Sequence, residues 1–148
     1  MIALTPDEQR TFLADAKTMT LASVDRHGYP HLVAMWFTVD PDGTVLMTTF
    51  AKSQKAMNLR RDPRCTLMVE RGTSYDQLQG IMIRGRATLE NDVEQTLDVL
   101  TRIHVKHGGE QPEGLRDILR GQARKRVVVR VKPERVSSWD HTKLGGVY

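Results

Sequence analysis

One cysteine, Cys65, supplies all the thiol in this 148-residue chain, so an internal disulfide and a cysteine-rich metal centre are both excluded. No apolar run approaches the roughly 20 residues that a membrane-spanning helix needs. The opening, Met1-Ile-Ala-Leu-Thr-Pro-Asp-Glu-Gln-Arg10, is too polar and too acidic for a secretory leader. These absences lead us to expect a cytoplasmic protein. G-x-G-x-x-G, G-x-x-x-x-G-K-S/T and C-x-x-C are all missing, and so is the nucleophile elbow of the hydrolases. A phosphate held by this chain must therefore be held without a glycine-rich loop.

The chain is long enough to bury a core as one domain. Its 39% apolar and 27% charged residues are those of a globular protein. A net charge of +4 suits anionic ligands. The basic residues are scattered rather than gathered into a tail or one helix face, so nucleic acid is not the expected partner. The densest basic run, Arg124-Lys-Arg126, is explained by a solvated helix end as well as by an anionic partner.

Thr5-Pro-Asp-Glu8 carries the marks of a helix start, with Thr5 as cap and Glu8 closing a capping box, and the helix is expected to reach about Ala16. Thr18 to Val24 reads as a strand, ended by the turn Asp25-Arg-His-Gly28. Pro30 to Val39 reads as a second strand, with His31, Val33, Met35, Phe37 and Val39 on one face and Leu32, Ala34, Trp36 and Thr38 on the other. Asp40-Pro-Asp-Gly43 turns the chain back into a strand from Thr44 to Thr49. A short helix ends before Pro63, followed by strands at Cys65–Glu70 and about Gly80–Glu90. Asn91 caps the main helix, which runs to about Lys106, and a second helical piece spans Leu115 to Ala123. Val127–Val131 and Val136–Trp139 read as two final strands separated by Lys132-Pro133. Strands joined by short turns, with few helices between them, predict a mainly β protein: an antiparallel sheet closing as a small barrel with peripheral helices.

The stretch Leu46-Met-Thr-Thr-Phe-Ala-Lys-Ser-Gln-Lys-Ala-Met-Asn-Leu-Arg-Arg-Asp-Pro-Arg64 carries the chemistry. A strand runs into a turn rich in hydroxyls and lysines, then into a helix. Thr48, Thr49, Lys52, Ser53 and Lys55 gather donors and positive charge where the first N–H groups of a helix are unpaired and its dipole favours an anion. A plainer account stands beside this one: Ser53 only caps the helix and the lysines lie in water. Trp36 and Phe37 lend weight to the anion site, because a phosphorylated flat heterocycle such as a flavin needs an apolar surface next to its phosphate. The same two aromatics would serve equally as core.

His27 and His31 flank a turn and His104 and His107 straddle a helix end, but no third ligand stands at supporting spacing. They read as solvent-facing histidines and no metal is expected. Cys65 opens a strand and reads as a small buried hydrophobe. The ending, with Trp139, His141, Lys143 and Tyr148 directly after a strand, is too rich in anchoring groups to lie loose, and a neighbouring subunit is a reasonable surface for it.

Taken in order, the N-terminal helix, Thr20-Leu-Ala-Ser-Val-Asp-Arg-His-Gly-Tyr-Pro30, Met35-Trp-Phe37, the Thr48-to-Lys55 turn, Asn58-Leu-Arg-Arg-Asp-Pro63 and Trp139 resemble the pyridoxamine-phosphate-oxidase-like split β-barrel family. Within it they look most like the actinobacterial flavin/deazaflavin oxidoreductases that use coenzyme F420. The resemblance implies a Greek-key split barrel of the FMN-binding type, forming a homodimer with cofactor sites at the subunit interface. It implies that the backbone around Met35, Trp36 and Phe37 lines the ring. Thr48, Thr49, Ser53 and Lys55 would bind the phosphate, with Lys52 and Gln54 nearby, and Trp139 would come from the second subunit. Lys143 would add charge near the site, and Arg60, Arg61 and Arg64 would attract the anionic tail of F420 or equally form a basic solvated surface. True pyridoxamine-phosphate oxidases grip their substrate with an arginine- and histidine-bearing C-terminal segment. The ending here, Asp140-His-Thr-Lys-Leu-Gly-Gly-Val-Tyr148, has no arginine, which argues against vitamin B6 oxidation. The implied activity is hydride transfer between the deazaflavin and an unsaturated small organic substrate, with Tyr75, His141 and Tyr148 as candidate proton donors or positioning groups. An FMN-dependent oxidoreductase on the same fold, or a non-catalytic carrier of flavin, deazaflavin or haem, are the competing expectations.

Overall fold

The computed structural model describes residues 2–147; Tyr148 lies outside them. Helix α1 (Pro6–Asp15) opens on the expected capping box, with Thr5 Oγ1 accepting from the Glu8 amide and Glu8 accepting from the Thr5 amide. Seven antiparallel strands follow: β1 (Thr18–Val24), β2 (Pro30–Trp36), β3 (Thr38–Val39), β4 (Val45–Phe50), β5 (Arg64–Arg71), β6 (Gln79–Glu90) and β7 (Arg126–Asp140). Helix α2 (Gln54–Arg61) lies between β4 and β5, while α3 (Val93–Lys106) and α4 (Leu115–Ala123) lie between β6 and β7. One sheet holds all seven strands in the order β2-β1-β5-β6-β7-β4-β3. It curls on itself, and the fold is a split β-barrel.

The alternation in the strands fixes which face turns inward. Met19, Leu21, Met35, Leu67, Val69, Ile81, Ile83, Val129 and Val131 form the interior with Phe37, Val45 and Met47. The second strand departs from the expected continuous run. It breaks at Phe37, whose ring is fully buried, so Thr38 turns inward as well instead of joining Leu32, Ala34 and Trp36 outside. A bulky apolar side chain at a corner gains more from the core than an unbroken ladder would return. The bend carries the chain from one end of the sheet to the other and closes the barrel.

The final strands also differ from expectation. Lys132-Pro133 does not separate two strands; β7 is one long strand with a register shift opposite Arg84/Gly85. Proline cannot donate to a ladder and is tolerated where a bulge loosens it. Gly85 makes the close approach possible, since a Cβ there would lie 2.4 Å from the Lys132 carbonyl oxygen. The main helix is capped by Asp92 rather than Asn91, with the Asp92 carboxylate accepting from the Gln95 amide.

Short contacts tie α2 to the barrel. Asn58 is fully buried and donates to Ser23 Oγ of β1 at 3.1 Å, while its own oxygen accepts from Gln54 and Arg61. The position of the α2 entrance relative to the sheet is thereby fixed. Among the described residues no helix is long and apolar enough to cross a membrane.

Candidate functional site

A cavity of about 540 Å³ opens between the end of β2, the end of β4 and the pair α3–α4. Ala34, Met35 and Trp36 form one wall, Thr48, Thr49 and Phe50 another, and Leu100, Ile103 and Leu119 an apolar roof. Lys55, His104, Gln122 and Arg126 bring the polar groups. The volume is that of an ordinary small-molecule site.

The charge in this cavity is of one sign. Lys55 stands just inside the start of α2, and Arg126 opens β7 opposite Phe50 in the ladder. The Arg126 guanidinium lies 4.3 Å from the Phe50 ring centre. Its Nε is buried and finds no hydrogen-bond partner. Burial first, and then the charge of Arg126, push the Lys55 ammonium below the ordinary lysine range. No carboxylate forms an ion pair with either group among the described residues. Two adjacent unneutralised cations, with threonine hydroxyls beside them, could hold an anion.

Ser53 takes the capping role and touches one of the threonines of the cavity wall. It caps α2 by accepting from the Ala56 amide, and its Oγ lies 3.1 Å from Thr49 Oγ1, which orients that threonine at the cavity wall. Lys52 is exposed beyond the rim, and Gln54 turns away to donate to Asn58 at 2.7 Å. Trp36 is 57% exposed and lies in the cavity wall. The Phe37 ring does not, because it is buried in the core beneath Lys106. Arg64 is already matched by Asp62, whose carboxyl its guanidinium pulls down to about 2. Arg60 and Arg61 lie exposed on α2.

The histidines at the end of α3, His104 and His107, are not the free, solvent-facing groups expected. His107 stacks on Trp36 with ring centres 3.8 Å apart and donates to the Lys17 carbonyl. His104 lines the cavity and donates from Nε2 to the Glu110 carbonyl at 2.8 Å. The glycine at 109 leaves the room this requires, since a Cβ there would fall 2.3 Å from His104 Nε2. Sequence reading missed Arg126, Phe50 and His104. The signal for Arg126 lay in strand register, which a local basic run conceals.

The ending packs against its own chain through several contacts. Residues His141–Leu144 form a short 3-10 turn against Tyr75–Gln77, with His141 Nδ1 donating to the Tyr75 carbonyl at 2.6 Å. Lys143 is held by Glu8 at 2.7 Å and by the Ala3 carbonyl at 2.9 Å. Tyr75, His141 and Lys143 line no part of this subunit's cavity. Trp139 lies across Gly80 of the neighbouring strand, so close that a Cβ at 80 would sit 2.1 Å from the indole. Gly80→Ala should therefore displace the indole and cost about 1–3 kcal/mol. A lower Tm with red-shifted tryptophan emission, measured in a Trp36→Phe background, is the expected result; unchanged emission would contradict the packing.

Metal and thiol chemistry find little support. No group of three His, Cys, Asp or Glu side chains gathers among the described residues. Burial pushes the Cys65 thiol up to about 12, which leaves it protonated and unreactive.

The family model described as pyridoxamine 5'-phosphate oxidase matches residues 5–140. The chain belongs to that family. It is 37% identical to a conserved hypothetical protein of Mycobacterium tuberculosis, Rv2991, whose crystal structure superposes with a TM-score of 0.92 over 99% of this chain and 91% of that one. An F420H(2)-dependent biliverdin reductase of Mycobacterium tuberculosis (strain CDC 1551 / Oshkosh) is 27% identical over 131 residues, 88% of this chain and 85% of that protein. A solved F420 reductase shares the fold at a TM-score of 0.70 and 22% identity, over 86% of this chain and 94% of its own.

Proposed function

We propose that this protein is an F420-dependent oxidoreductase that reduces an unsaturated small organic substrate. The observation that carries this reading is the pairing, in one cavity, of the unneutralised cations Lys55 and Arg126 with the apolar wall of Ala34, Met35 and Trp36. Such a cavity suits a flat ring joined to a phosphate. The orphaned Arg126 Nε is a donor in want of an acceptor, and a phosphate oxygen fits it. Similarity to a biliverdin reductase that uses F420H(2) favours the deazaflavin over FMN. When bound, F420 supplies the hydride.

The chain's own residues bind and orient. Lys55, Arg126, Thr48 and Thr49 hold the phosphate, with Thr49 positioned by Ser53. Trp36, steadied by His107, and the backbone of Met35 present a face for the ring. Leu100, Ile103 and Leu119 keep water from that face.

A homodimer completes the site in this reading. The outer face of the sheet carries Leu32, 64% exposed, and Met68, 37% exposed, with Ala34, Thr20 and Met82 in register beside Met68. Trp36 borders this face on β2 and Trp139 on β7. A second copy laid across it would cover the apolar patch and bring its own Trp139 toward the cavity.

The test is titration of the purified protein with F420 and with FMN. Saturable F420 binding and oxidation of F420H2 by an enone, quinone or tetrapyrrole are expected. Retention of FMN with no measurable F420 affinity would overturn the assignment.

A further inference from the structure

We propose that a second cavity, between α1, β3 and the far face of α3, is a binding site for a small molecule that joins a carboxylate to an apolar body, with the carboxylate at Lys106. The proposal is independent of what occupies the first cavity. The second has a volume of about 630 Å³ and shares no lining residue with the first. Helix α3 divides them: Leu100, Ile103 and His104 face one, and Arg102 and Lys106, one turn apart, face the other. Leu13, Val39, Ile83 and Val136 give the second cavity apolar walls.

Lys106 is the cation in this space with no carboxylate partner among the described residues. It donates to the Leu13 carbonyl at 2.9 Å and lies 3.6 Å from the centre of the Phe37 ring, so it turns toward α1 and the barrel corner rather than back over its own helix end. Burial drives its ammonium down to about 8, against only a weak opposing pull from Asp15. The other cations of the cavity are engaged: Arg102 with Asp40 at 2.7 Å and with the Val39 carbonyl, and Arg10 with Asp7. A half-buried ammonium beside apolar walls, with only a carbonyl and a ring for partners, gains from an anion that balances it. A ligand carboxylate does so, and its hydrocarbon portion covers the walls. A bare inorganic anion would leave them wet.

The probe is decanoate, with 1-decanol as its uncharged counterpart, added to cofactor-free protein and followed by calorimetry and by the NMR signal of the Lys106 side chain. We expect saturable one-to-one binding of decanoate with a shift at Lys106, and at least a tenfold weaker affinity for decanol. Lys106→Met keeps the length of the side chain and should lower decanoate affinity at least tenfold. Val136→Trp, at an exposed strand position, should fill the cavity and abolish binding with the charge intact. Lys55→Ala should leave decanoate affinity as it is. Wild-type affinity in Lys106→Met, or loss in Lys55→Ala with retention in Val136→Trp, would overturn the assignment. Thermal melts establish that each variant is folded.

Discussion

A Lys55→Ala/Arg126→Ala double variant is expected to lose F420 affinity by roughly two to four orders of magnitude, the largest effect any surface substitution here should produce. Each side chain offers a charge-assisted contact to a phosphate, worth about 1.5–3 kcal/mol. The two stand in one cavity with no carboxylate between them, and Arg126 already weighs on Lys55 through its charge. A bound anion relieves that repulsion, so a variant lacking either cation loses the relief along with its contact, and each single variant should lose more than half of the total effect. Stability should change little, because the repulsion lost on removing Arg126 offsets its contact with Phe50. Calorimetric titration of the two single variants and the double completes a double-mutant cycle. Affinity unchanged in the folded double variant would remove both residues from the phosphate site.

Met68→Arg should abolish the proposed dimer, leaving a monomer, and weaken cofactor binding with it. Met68 stands in the middle of the outer sheet face, between Thr20 on β1 and Met82 on β6. In an isolated subunit its position is open enough for arginine to reach water. In a two-fold interface the substitution appears on both sides at once. A charge buried there without a partner costs several kcal/mol per ion. Met68→Leu keeps the apolar contact and should remain dimeric. Sedimentation velocity distinguishes the two, and a dimeric Met68→Arg protein would show that this face is not the interface.

The regular elements were legible because their signals are local. The Thr5–Glu8 capping box, the alternation in Thr18–Val24 and the helix over Leu115–Ala123 all appear where the residues place them. So does the entrance of α2, where Ser53 caps and Thr49, Lys55 and the hydroxyls converge. What escaped depends on distant partners. Nothing near Arg126 in sequence says that it will face Phe50, because that pairing is set by the β4–β7 register. His104 looked free because the carbonyl it meets belongs to an irregular segment beyond the helix. Phe37 read as a surface for a ring because it follows Trp36, yet strand alternation sends the two side chains to opposite sides of the sheet, and only Trp36 stays exposed. Lys143, equally, gave no sign that Glu8 of the first helix would claim its charge.

The strand order has a consequence for how the chain acquires its shape during synthesis. β7 is the last strand in the chain but lies between β6 and β4, so Leu46 must wait for Arg130 before its ladder can close. Until Arg126–Asp140 leaves the ribosome, β4 has no neighbour but the two residues of β3, and the cavity has no Arg126. Contacts of such long sequence separation slow closure. The nascent chain thus carries an open β4 edge for most of its translation, and both the barrel and its anion site come into being together, at the final strand.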